Sequence, residues 1–156
     1  MKIYTASGWP FRQDTAKINE ILKDYGFNVI STWIEEETGI NTPVDYGKDA
    51  LRDINQVSEC DVLLAIMDDD KYAYRGTNCE IGAALALKKK IIIVCQGLGL
   101  EKKIAETKYE YPYYCQNNVF FWHPKIVRVK TLDDAIILLN KEMNDMKNMV
   151  TGIYIN

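Results

Sequence analysis

Two kinds of apolar pattern alternate along the chain. Continuous runs rich in Val, Ile and Leu, at Asp61–Met67 and Lys90–Cys95, read as strands buried on both faces. Lys2–Ala6 reads as an earlier strand, stopped by the turn-forming Ser7-Gly-Trp-Pro10. A helix is expected from about Asp14, with Ile18, Ile21, Leu22 and Tyr25 on one face and Gly26 just past its last turn. Phe27–Trp33 reads as strand two, and the polar stretch 35–43 as a surface loop. Residues 45–58 give a second helix with Ala50, Leu51, Ile54 and Val57 inward, and a third helix starts at Gly76-Thr77 and runs through Leu87. Gly97-Leu-Gly99 breaks strand four. The tyrosine-rich stretch Leu100–Asn118 (Tyr109, Tyr111, Tyr113, Tyr114) is long enough to be a lid or an interface. Val127–Val129 is a short fifth strand, and Thr131 caps a final helix carrying Ala135, Leu138, Leu139 and Met143.

Strands alternating with helices imply a parallel sheet covered on both faces and joined by right-handed crossovers. Five strands of this length fit a flavodoxin-like (Rossmann-like) three-layer α/β sandwich of order 2-1-3-4-5, built as a single domain over residues 1–156. In that order the ligand crevice lies between strands one and three. There the loops 7–10 and 68–76 meet, and Glu80, read here as lying in the first turn of the third helix, sits beside them.

Composition narrows this little. The chain has 19 basic and 22 acidic residues and a net charge of −3, and its one basic run, Lys88–Lys90, reads as solvating a helix end rather than binding nucleic acid. No apolar stretch is long enough for a membrane helix and no signal-peptide pattern is present, so a soluble, cytoplasmic protein without a membrane partner is expected. Cys60, Cys79, Cys95 and Cys115 show no metal spacing and read as free, mostly buried thiols of a reducing compartment. With His123 the only histidine and no phosphate-binding glycine motif, neither a histidine metal site nor a Ser-His-Asp arrangement is expected, and no cofactor is implied.

Any chemistry must then come from carboxylates. Thr77-x-x-Glu80 matches a capping box, in which Glu80 would only reach back to the helix start. The same position suits a carboxylate nucleophile held ionised by the helix dipole. Asp53 could face the same end from the second helix or be a solvated charge. Asp68, Asp69 and Asp70 form either an exposed run or a source of one inward acid. Ser7, Gly8 and Trp9 are either a turn or a wall for a ligand on the strand ends.

Taken together these pieces resemble the nucleoside 2-deoxyribosyltransferase family. The resemblance rests on Lys2-Ile-Tyr-Thr-Ala-Ser-Gly-Trp9, Asp53-Ile-Asn55, Cys60-Asp-Val-Leu-Leu64, the run from Gly76-Thr-Asn-Cys-Glu-Ile-Gly82 into Val94, and Asn118-Val119, in that order. It implies retaining transfer at an N-glycosidic bond: Glu80 attacks C1′ of the deoxyribose, and a second base, or water, takes the sugar from the same face. It also implies that Asp53 helps hold sugar or base, that Gly76 and its neighbours line the substrate site, and that Asn118 reaches the sugar's 5′ end in a neighbouring subunit of a homodimer or higher oligomer. Tyr154 and Asn156 at the tail would approach a partner's site. Where many members carry an acid before the glycine-threonine pair this chain has Arg75, so that role passes to Asp68, Asp69 or Asp70, or the preferred base differs. A related branch hydrolyses deoxynucleoside 5′-monophosphates, and Ser7, Arg12 and Arg75 are available for a phosphate. A non-catalytic nucleotide-binding module with Glu80 as a cap is the third reading. A phosphoacceptor of this fold would want paired acids after strand one, and the Ser7-Gly8-Trp9 turn has none, which argues against that form of the module.

Overall fold

A computed structural model describes residues 1–35, 42–69, 72–95 and 118–151. The middle of the predicted 35–43 loop, Asp70, Gly97–Gly99, the tyrosine-rich stretch as far as residue 117 with Cys115, and Tyr154 and Asn156 lie outside the described residues. Five strands, β1 (Lys2–Ala6), β2 (Asn28–Val29), β3 (Val62–Ile66), β4 (Lys90–Val94) and β5 (Ile126–Val129), form one parallel sheet of order β2-β1-β3-β4-β5. This is the expected three-layer α/β fold. The four α-helices among the described residues are α1 (Arg12–Asp24), α2 (Pro43–Glu59), α3 (Arg75–Ala86) and α4 (Leu132–Thr151).

Strand alternation divides the core in two. Tyr4, Leu63, Ala65, Ile91 and Ile93 point to one face and pack with Val57 of α2 and Ile81 and Ala84 of α3. Ile3, Val62, Leu64, Ile92 and Val94 point to the other and pack with Leu22 of α1 and Ala135, Ile136 and Leu139 of α4. β3 is buried at all five positions, as a strand covered on both faces should be. Gly26 closes α1 at φ +84°, with Phe27 N–H donating to Leu22 O and Gly26 N–H to Lys23 O. Thr131 caps α4 by accepting the Asp134 amide at 3.1 Å.

Three expectations are corrected. On α1, Ile21 and Tyr25 face solvent while Thr15 and Asn19 are buried beside Leu22, because both polar side chains have partners: Thr15 donates to Phe11 O, and Asn19 accepts from the Thr5 hydroxyl at 2.8 Å. On α2 only Val57 is buried. Ala50, Leu51 and Ile54 are exposed, since of the α2 side chains it is Val57 that packs into the buried cluster with β1, β3 and α3. β2 pairs over two residues only. The chain then turns away so that Trp33, in a 3-10 turn (Trp33–Glu35), can donate its indole N–H to Thr5 O at 2.7 Å.

Candidate active site

Glu80 does not cap α3. The helix starts at Arg75 with Tyr74 as its N-cap, which puts Thr77 at the third position and Glu80 in the second turn rather than the first. Its first turn carries no acid. The capping box is therefore absent, and the Thr77 hydroxyl is buried with no hydrogen-bond partner among the described residues. Glu80 instead accepts a hydrogen bond from the Tyr4 hydroxyl at 2.6 Å. Tyr4 is fully buried on β1, and burial first, then the charge and hydrogen bond of Glu80, hold its hydroxyl far above the ordinary tyrosine range, so it stays a donor.

The two residues meet because β1 and β3 pair in parallel and α3 packs over both. Beyond their carboxyl ends lies a cavity of about 190 Å³, which brings together seven of the residues singled out from sequence: Ser7, Gly8, Trp9, Asp53, Arg75, Gly76 and Glu80. Ser7 is anchored by donating to Ile66 O at 2.9 Å, which ties the first loop to the end of β3. Asp53 reaches the cavity from α2. Burial pushes its carboxyl up from the ordinary value, and Arg52, with a guanidinium nitrogen 3.4 Å away, pulls it part of the way back. Arg52 also spans to Asp49 at 3.2 Å, so α2 delivers Asp53 within a row of alternating charges.

The walls are aromatic. Trp9 and Trp33 lie with ring centroids 6.5 Å apart at 48°, and the Arg12 guanidinium sits 4.8 Å above the Trp9 ring. Tyr72 packs edge-on against both Phe11 and Tyr74, at 5.3 and 4.9 Å. It lies so close to the first loop that a Cβ on Gly8 would come within 2.4 Å of its ring, which is why a glycine stands there. Tyr74 takes a left-handed conformation (φ 45°), and its hydroxyl accepts the Asp69 amide at 2.9 Å.

Two expected residues lie elsewhere. Asp68 lines a neighbouring cavity of about 370 Å³ with Asp14, Asp69 and Ile18, separated from the first by Ser7 and Tyr74. Asn118 is not at its own chain's cavity; its side chain accepts the Phe120 amide at 3.0 Å at the start of a 3-10 turn (Val119–Trp122). Conversely, Tyr4, Trp33, Tyr72 and Tyr74 were not singled out from sequence as site residues. The available signal was Tyr4, a polar-tipped residue in a buried strand that ends at the crevice. Among the described residues no group of three or more His, Cys, Asp or Glu is placed to hold a metal, and no helix is long and apolar enough to cross a membrane.

A half-buried carboxylate oriented by a phenol, a second carboxylate with a raised pKa and an aromatic wall together equip the cavity for nucleophilic substitution at a small polar substrate. The fold is shared with solved structures. The 2-deoxyribosyltransferase from Bacillus psychrosaccharolyticus superposes with a TM-score of 0.63 at 19% identity, over 87% of this chain and 90% of its own. A conserved protein from Enterococcus faecalis V583 gives 0.63 at 16% identity, covering 91% and 98%. The Clostridium botulinum CMP N-glycosidase BcmB gives 0.51 at 18%, covering 90% and 99%. No curated protein matches the sequence. The model of the family described as nucleoside 2-deoxyribosyltransferase matches residues 3–109, from β1 through the whole of α3 and β4, and the chain belongs to that family.

Proposed function

We propose that this chain, as a single cytoplasmic domain, cleaves the N-glycosidic bond of a 2′-deoxynucleoside and transfers the deoxyribosyl group to another base. The observation that carries the reading is that Glu80, which lines the cavity, is held by the buried Tyr4 hydroxyl behind the wall, since a capping glutamate would have turned back to its own helix. Glu80 attacks C1′, forming a glycosyl ester as the base leaves with the bond's electron pair and gains a proton. A second base then attacks C1′ from the face the first one left, and the carboxylate is released. Asp53, its carboxyl raised by burial, is placed to hold the sugar or exchange a proton with the base. Ser7, Gly8, Trp9, Arg75 and Gly76 contact the substrate, Asp68 lies behind them in the neighbouring cavity, and Asn118 completes a partner's site in a homo-oligomer.

A second reading, hydrolysis of a 2′-deoxynucleoside 5′-monophosphate, is favoured by one observation: the first turn of α3 lines the cavity with Arg75 and without an acid, a setting that favours an anion. The test incubates the protein with 2′-deoxynucleosides, and separately with their 5′-monophosphates, with and without acceptor base, alongside Glu80→Ala. New nucleosides only with acceptor, lost in the variant, establish the transferase. Free base from monophosphates alone establishes the hydrolase. No turnover of either set refutes both.

A further inference from the structure

At the end of the sheet opposite Glu80, where the strands begin, lies a groove of about 390 Å³ between β4, β5 and α4. Its floor is apolar, with Val62, Ile92, Val127 and Leu138 contributing. Its rim is Lys88, Lys89, Lys90 and Lys125, with Glu142 as the single acid. Lys90 pairs with Glu142, while among the described residues Lys88, Lys89 and Lys125 make no ion pair. Three ammonium groups with no ion pair among the described residues, around one apolar hollow, stand out in a chain whose net charge is −3.

Elementary chemistry limits what fits. An apolar floor rejects a bare inorganic anion, because the ion would lose hydration against carbon. The lysine rim disfavours a cationic hydrophobe and adds no attraction for a neutral one. The volume falls in the range of small-molecule sites, which are mostly apolar with a few placed polar groups, whereas the catalytic cavity is about half as large. Lysine, a mobile point charge, suits phosphate or carboxylate without demanding one geometry. We propose that this groove is a second ligand site, for a small organic anion with an apolar body and a phosphate or carboxylate at one end. It does not depend on the reading of Glu80, from which it is separated by the length of the sheet. The competing account is that lysine stems merely cover the apolar floor while their charges stay in water.

The test uses 2-naphthyl phosphate as probe, followed by its fluorescence on titration with the full chain. The half-probes 2-naphthol and inorganic phosphate run in parallel. One site per chain is expected, with both halves binding at least tenfold more weakly than the whole. Lys88→Glu combined with Lys125→Glu should weaken binding at least tenfold at an unchanged melting temperature, whereas Glu80→Ala should leave it unaltered. Absence of saturable binding, or equal binding by the lysine variant, overturns the proposal in favour of stems on a surface. Loss of binding in Arg75→Glu instead would place the probe in the catalytic cavity and overturn it too. Lysine-dependent binding to phosphatidylserine vesicles without binding of 2-naphthyl phosphate would make the rim a membrane-facing patch, again overturning it.

Discussion

Tyr4→Phe isolates the contact on which the active-site reading rests. The substitution keeps the fully buried ring in the core and deletes only the hydroxyl that donates to Glu80 at 2.6 Å. A hydrogen bond to a charged acceptor contributes about 1.5–3 kcal/mol. If it orients the attacking oxygen, losing it should lower kcat by about 10- to 150-fold, at about 1.4 kcal/mol per factor of ten, with little change in KM. Steady-state kinetics on the 2′-deoxynucleoside that the wild type turns over supply the number, and urea unfolding checks that the fold persists. Alkaline titration gives an independent reading. The native hydroxyl holds its proton far above the ordinary 10.0, while the unfolded one loses it there. Tyr4 therefore leaves stability unchanged below pH 10 and lowers it by about 1.4 kcal/mol per pH unit above, a slope that Phe removes. A kcat within twofold of wild type, in a variant that has lost this alkaline slope, would refute the positioning role while leaving the burial of Tyr4 intact.

Asp53→Asn should cut activity about a hundredfold or more and yet raise the melting temperature at pH 7. Burial raises the native carboxyl, so Asp53 favours folding below the unfolded value of 3.8 and that contribution is lost as pH rises through the native value; the gain from Asn should vanish in melts near pH 3. Gly8→Ala sets a Cβ 2.4 Å from the Tyr72 ring, and should destabilise the protein by about 1–3 kcal/mol in denaturant melts and raise KM as the ring is driven toward the cavity. In a Cys115→Ser background, a thiol reagent should modify exposed Cys79 in the native state, while buried Cys60, its thiol pushed up to about 11 by burial, and buried Cys95 react only on unfolding.

The sheet order was readable because β3 and β4 are uninterrupted apolar runs, and right-handed crossovers leave little freedom in arranging such strands. The faces of α1 and α2 were harder. Thr15 and Asn19 are buried through hydrogen bonds to Phe11 and Thr5, partners that no periodicity reveals, while Leu51 at 64% exposure breaks the rule that leucines of a periodic helix point inward. The candidate site was readable wherever residues sit at strand ends, as with Ser7, Gly8 and Trp9. Tyr4 was missed because its partner lies 76 positions away, and a capping pattern at Thr77 gave Glu80 a plausible local role. Local spacing and tertiary packing competed for one carboxylate, and packing won.

The candidate active-site cavity takes its lining from the β1 loop, the 3-10 turn at Trp33, α2 and the start of α3, spread from Ser7 to Glu80. None of these segments contains a usable fraction of it, and the pairing of β1 with β3 that brings them together joins Ile3 to Val62 across nearly 60 residues. Such long-range parallel closure is slow. A nascent chain thus carries no half-formed pocket able to capture a ligand early, and the chain's own share of the cavity forms only once Glu80 has emerged and α3 has docked.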